Sequence, residues 1–145
     1  MDQVIRRFNE RGIRYLLIGG QAVRLHGLLR ETMDWDFAVP PRDAKNIAAI
    51  NEALSDLLDD TLEILGQRGE GFVQTFQTPW GVLQFHLLIP GLPDFDEVEK
   101  RAVEVHDSGT PVRCLCAEDL LRAKRASARP RDELDIKFLE QKLKK

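Results

Sequence analysis

The chain is predicted to fold as an α/β (α+β) protein, a small mixed β-sheet flanked by helices and closed by two C-terminal helices. Three observations lead there. Helical and strand periodicities alternate irregularly along the chain, which argues against both an all-α bundle and a sandwich. Two pairs of short apolar runs are separated by Gly-containing turns and read as hairpins. The 145 residues, 43% hydrophobic and 31% charged, suit one domain with its own core, so residues 1–145 are taken as a single unit.

The elements follow in order. Residues 2–11 place Val4, Ile5 and Phe8 on one helical face, with Gly12 as a stop. Tyr15 to Ile18 is a short buried strand, broken by Gly19-Gly20. Ala22, Leu25 and Leu29 then keep helical spacing. Asp34 to Val39 is the next strand, ended by Pro40-Pro41. Asp43 caps a helix whose apolar face is Ile47, Ile50, Leu54, Leu57 and Leu58. Thr61 to Leu65 is expected as a strand and Gln67 to Gly71 as a loop. Phe72–Thr78 and Val82–Ile89 form a hairpin about Pro79-Trp80-Gly81, and Pro90-Gly91-Leu92-Pro93 ends it. Phe95 to Arg101 is helical. Val103–His106 and Val112–Leu115 are strands about Ser108-Gly109-Thr110. Helices over about 117–126 and 132–143 close the chain on either side of Arg129-Pro130-Arg131.

Composition narrows the function classes. A net charge of -3 gives no global basic field for long nucleic acid. No apolar run approaches the roughly 20 residues of a membrane span, and the start of the chain lacks the apolar core of a secretory signal, so a cytoplasmic protein without a membrane partner is expected. Cys114 and Cys116 sit two apart, a poor disulfide geometry and half a zinc site, and are read as reduced structural thiols.

The informative constellation is Tyr15-Leu16-Leu17-Ile18-Gly19-Gly20, a thirteen-residue spacer, and Asp34-Trp35-Asp36-Phe37. Strand side chains alternate, so Asp34 and Asp36 share one face, with Cα atoms roughly 6.5–7 Å apart. Trp35, Phe37 and Val39 place the other face against a core. Carboxylates on such a strand need solvent at a sheet edge, arginine partners or a metal. Both could lean onto one hard divalent cation. The glycine pair is either a corner too tight for a side chain or, opening a helix, a phosphate cradle. Arg30 could hold a triphosphate bidentately or pair with one of the two acids.

Gly19, Gly20, Ala22, His26, Gly27, Arg30, Thr32, Asp34 and Asp36 together resemble the signature of the DNA polymerase β-like nucleotidyltransferases, above all the small prokaryotic group that includes toxin–antitoxin and phage-defence members. The pattern around Ile89-Pro90-Gly91 and the closing run from Ala117 to Asp135 extend the likeness over about residues 13–140. The resemblance implies that Gly19 and Gly20 hold the β/γ-phosphates of a nucleoside triphosphate, that Asp34 and Asp36 bind two Mg²⁺ ions, with Mn²⁺ as the alternative, and that a nucleoside monophosphate passes to a hydroxyl of a protein, RNA or small molecule. A third acid is expected on a later strand. Its place falls at Gln84, which can ligate through its carbonyl but cannot act as a base. His86, two residues on, is a substitute base or softer ligand, or a satisfied strand histidine. Glu63, Asp94 and Asp96 are other candidates for the third acid. Lys124, Arg125, Arg129 and Arg131 form a basic cluster that either solvates a helix end or contacts the triphosphate, with Lys124 the candidate nucleotide ligand. Catalysis is assigned to Asp34, Asp36 and His86, nucleotide binding to Gly19, Gly20, Arg30 and Lys124, and metal binding to Asp34, Asp36 and Gln84. A catalytically degenerate nucleotide- or partner-binding protein, a toxin–antitoxin component and a homo-oligomer remain open.

Overall fold

A computed structural model describes residues 1–64, 73–127 and 129–144. Among these residues six helices, α1 (Asp2–Glu10), α2 (Gly19–Leu25), α3 (Ala44–Ala53), α4 (Phe95–Lys100), α5 (Ala117–Ser127) and α6 (Glu133–Leu143), surround six strands, β1 (Leu16–Ile18), β2 (Asp34–Ala38), β3 (Val73–Thr78), β4 (Gly81–His86), β5 (Val103–Asp107) and β6 (Thr110–Cys114), with a 3-10 turn over Pro130–Asp132. The strands form one mixed sheet in the order β3-β4-β2-β1-β6-β5. β1 runs antiparallel to β2 and parallel to β6, and β2 runs parallel to β4.

Both hairpins are dictated by their turns. Ser108 at φ 51° and Gly109 at φ 88° close β5 onto β6, a two-residue turn with both central residues left-handed. At the β3–β4 corner, Gly81 has φ 131°, and a Cβ there would lie 2.4 Å from the Met33 carbonyl oxygen. That corner therefore seats against the entry to β2.

One sheet face is the aromatic core. Phe37 of β2 and Phe85 of β4 lie 6.0 Å apart, and Phe8 of α1 meets both and Tyr15 as well. Ile47 and Ile50 of α3 are buried in the same cluster. Burial of this face forces the alternate residues of the same strands, Asp34, Asp36, Gln84 and His86, onto the opposite face. There α2 packs against α5 and α6, and α5 against α6.

The expected elements recur within a few residues of their predicted ends, with two differences. The helical spacing to Leu29 does not continue as helix. α2 stops at Leu25, Gly27 takes φ 126°, and the Leu28 N–H closes onto the Val23 carbonyl, a glycine stop that leaves Leu29 exposed. Residues 61–64 are not a strand. Side-chain amides satisfy their backbone instead: Asn51 bonds both backbone groups of Leu62, at 2.7 and 2.9 Å, and Gln74 bonds those of Glu63, at 2.9 and 2.8 Å. Leu65, the loop expected at 67–71, and Phe72 lie outside the described residues. The cysteines are free thiols, with Cys114 buried on β6 and Cys116 half-buried beyond it.

Candidate active site

β2 is an interior strand, third from one edge of the sheet, so the two carboxylates are not an edge pair turned to solvent. They open onto a cleft of about 580 Å³. Its walls include Gly19 and Gly20 at the start of α2, Asp34 and Asp36 on β2, Gln84 and His86 on β4, Arg30 before β2, and Lys124, Ser127, Arg129 and Arg131 from the C-terminal segment. Val73, Leu88, Ile89, Pro90 and Leu120 supply an apolar side. The residues assigned from the sequence to catalysis, nucleotide binding and metal binding all line this one cleft.

The glycine pair is explained by its neighbours. Gly19 has φ 71°, and a Cβ on it would lie 2.7 Å from Asp36 Oδ2. A Cβ on Gly20 would meet the Arg30 guanidinium carbon at 3.2 Å. An acid and a base of the cleft thus press on the corner, one on each glycine, and at Gly19 a side chain would displace the acid. Ile18 gives α2 no side-chain cap.

Asp36 is half-buried and engaged, while Asp34 is exposed at the cleft mouth. The parallel β2–β4 register sets Asp36 beside Gln84 and Ala38 beside His86. From there the His86 ring reaches back, its Nε2 2.8 Å from Asp36 Oδ1. Gln84 turns its amide to the next strand, donating to Thr75 Oγ1 at 3.3 Å. The other acids named as substitutes are elsewhere in use. Asp94 caps α4, and Asp96 pairs with Arg14 in a cluster with Asp43 and Glu99 that holds the Arg14 guanidinium protonated well above its usual range. Glu63 does not line the cleft.

Within the basic cluster Arg125, Arg129 and Arg131 are exposed, Arg125 and Arg129 in local ion pairs, and Lys124 departs from a solvated helix end. Lys124 is buried, with its Nζ 3.0 Å from Asp132 Oδ1 and 3.1 Å from Asp135 Oδ2. Arg30 pairs with neither Asp34 nor Asp36. Its guanidinium donates to Asp135 on α6, which is 1% exposed. Burial pushes the Asp132 carboxyl up, but donation from Arg129, Lys124 and Ser127 outweighs it and holds the group down at about 2. Arg131 lines the cleft and has no ion pair among the described residues. Arg125 points away to Glu140, at 2.6 Å. The Asp132–Asp135 pair was missed as site structure. The sequence marks it by a spacing of three at the start of a helix, which places both acids on one face, and by its place in the closing run that carries the family likeness.

No family model matches the chain, and no curated protein matches it. Solved structures do. The lincosamide antibiotic adenylyltransferase LnuA, lincomycin-bound, aligns with TM-score 0.62 and 18% identity over 94% of this chain and 92% of its own. TM1012 from Thermotoga maritima, assigned to the nucleotidyltransferases, aligns with TM-score 0.65 and 13% identity over 98% and 89%. The antibiotic-resistance factor ANT(2'')-Ia in complex with adenylyl-2''-tobramycin aligns with TM-score 0.63 and 16% identity over 97% and 86%. The chain has the nucleotidyltransferase fold. At these identities the likeness concerns backbone architecture, and within it the resemblance drawn from Gly19-Gly20 and Asp34/Asp36 agrees with the shape of the molecule.

His26, in the stretch linking the glycine corner to Arg30, is structural. Its Nε2 donates to the Leu115 carbonyl at 2.9 Å, tying the end of α2 to the start of α5, and burial keeps its ring less basic than usual. Gln21 completes the support by donating to the Thr32 carbonyl at 3.0 Å, so the segment carrying Arg30 is held to α2. Among the described residues no three His, Cys, Asp or Glu side chains are grouped to hold a metal ion by themselves. Among these residues no helix is long and apolar enough to cross a membrane.

Proposed function

We propose that the protein is a nucleotidyltransferase that binds a nucleoside triphosphate with Mg²⁺ and transfers the nucleoside monophosphate to a hydroxyl. The observation that carries this is the pair Asp34 and Asp36 on the cleft wall, with Asp36 seated directly on the Gly19 corner. The donor set suits a hard cation that arrives with its substrate. Mg²⁺ is usually held by one or two carboxylates, with waters and substrate phosphates completing its shell. Asp34 and Asp36 would hold it, with the neutral carbonyl of Gln84 from the neighbouring register position. When bound, the cation neutralises phosphate charge as the new bond forms at phosphorus.

The chain's own residues do the rest. Arg30 and Lys124 line the phosphate side beside Gly20 and attract the triphosphate. His86 is the base. Its Nε2–H donated to Asp36 leaves Nδ1 with a lone pair to accept the proton of the attacking hydroxyl, so Asp36 sets the tautomer. Val73, Leu88 and Ile89 give the cleft an apolar side against which the non-phosphate part of a substrate can pack. Among the acceptors the sequence leaves open, a small molecule leads, because one structural neighbour is an antibiotic adenylyltransferase with lincomycin bound and another is in complex with adenylyl-2''-tobramycin. Their adenylyl chemistry makes ATP the first donor to test.

Gln84 favours a second reading, a member that binds nucleotide without transfer, since among the described residues no third carboxylate groups with Asp34 and Asp36. One experiment separates the two. The protein is incubated with labelled ATP, Mg²⁺ and a panel of hydroxyl-bearing acceptors, with an Asp34→Asn/Asp36→Asn double variant as control. Pyrophosphate release and a labelled acceptor, lost in the control, support transfer. Binding without release supports the second reading. Absence of both binding and release overturns both.

A further inference from the structure

The buried ion network behind the cleft is expensive for a purely structural device. Asp135 is 1% and Asp132 2% exposed, and Lys124 is buried between them. Apolar side chains of similar volume commonly stabilise a core as well as a buried ion set does. This network instead ends on the cleft wall, where both of Asp135's partners, Arg30 and Lys124, line the same space.

Donor counting shows what is left over. A lysine ammonium has three N–H donors. Lys124 donates one to Asp132 and stands in an ion pair with Asp135, 3.1 Å from its Oδ2. An arginine has five. Arg30 gives one, from Nη1, to Asp135, while its guanidinium carbon lies against Gly20. Each cation keeps donors, and among the described residues Asp135 is the carboxylate paired with both. It joins α6 to α5 and to the loop before β2, and so fixes where those donors stand relative to the glycine corner.

We infer that Asp135 is a positioning residue for the triphosphate: it holds Arg30 and Lys124 in the arrangement that meets the β- and γ-phosphates. This rests on the proposed reading of the cleft as a nucleotide site. Asp135 acts only through the two cations, so its loss weakens the phosphates beyond the first and spares the nucleoside and α-phosphate.

The test is a titration of the full chain with a non-hydrolysable ATP analogue and, separately, with AMP, each with Mg²⁺. Wild type, Asp135→Asn, Arg30→Gln and the double variant are compared, with circular dichroism as a check on the fold. Asp135→Asn is expected to weaken the ATP analogue about tenfold, the scale of one misplaced charge-assisted contact, and to leave AMP nearly unchanged. Adding Asp135→Asn to Arg30→Gln should then cost much less than it does alone, because the two residues pair with each other. An equal loss for both nucleotides, or no loss, overturns the inference while leaving the nucleotide site standing. If wild type binds neither nucleotide, the reading of the cleft fails and the inference with it. Should Asp135→Asn not fold, Asp135→Glu retains the charge, shifts the carboxylate by one methylene and is held to the same ratio.

Discussion

His86 and Asp36 meet across two parallel strands, imidazole Nε2 to carboxylate Oδ1 at 2.8 Å, although the backbone register pairs His86 with Ala38 and Asp36 with Gln84. The contact orients both groups, and the other oxygen of Asp36 rests over Gly19. On the proposed reading, His86→Ala should lower turnover by about 10²-fold or more, the usual contribution of a positioned base. Affinity for the ATP analogue should change little. Transfer assays set beside titration calorimetry read the two quantities separately.

Gly19→Ala should be damaging twice over. A left-handed φ costs a non-glycine residue roughly 1–2 kcal/mol. The added methyl also stands 2.7 Å from Asp36 Oδ2, so the carboxylate must move. Urea unfolding should report the lost stability, and nucleotide binding should weaken in the folded fraction. An unchanged affinity would show that Asp36 and Gly19 do not share a ligand.

Gln84→Asp places a third carboxylate at the register position beside Asp36. Affinity for Mn²⁺ should rise by about tenfold or more, given the size of a charge–charge interaction near a protein surface. Without bound cation the same change should destabilise the fold slightly through carboxylate repulsion. Mn²⁺ titration followed by paramagnetic resonance, with melting curves in EDTA, tests both.

Lys124→Ala removes the shared partner of two buried carboxylates and should cost about 3–5 kcal/mol in urea unfolding. The acid limb offers an independent check. Asp132 titrates at about 2, below an ordinary aspartate near 3.8. Its contribution is therefore complete above pH ~4 and is lost as pH falls from there toward 2, worth up to about 2 kcal/mol. In Lys124→Ala that acid dependence should flatten.

Cys114 is buried and its thiol is pushed up to about 12 by burial, so it should resist thiol reagents at pH 8 until the protein unfolds. Cys116, half-buried with its Sγ 3.4 Å from Asp119, is also raised and should react slowly. Stopped-flow labelling in native buffer and in denaturant should resolve one slow thiol and then two.

Much of this architecture is legible from local rules. Asp43 caps α3 through the Asn46 N–H, as its position ahead of an apolar helical face predicts. Ser108-Gly109 forces a hairpin, and Gly19-Gly20 ends β1. Alternation alone puts Asp34 and Asp36 opposite Phe37. Local rules failed where long-range partners satisfy the backbone, as when Asn51 and Gln74 hold residues 62 and 63 out of a ladder. They failed again at Arg30, whose partner is 105 residues away in the chain.

The sequence by itself determined the two carboxylates, their shared face and the glycine corner, because strand alternation and backbone sterics act over a few residues. Only the tertiary structure decided what surrounds them. The parallel pairing of β2 with β4 brings His86 to Asp36 and sets the neutral Gln84 beside it, and the docking of α5 and α6 buries Lys124 between Asp132 and Asp135 and draws Arg30 to the same cluster. These contacts join segments that no periodicity relates, and they exist only because one face of the sheet is filled with aromatic rings and the other is left for charge.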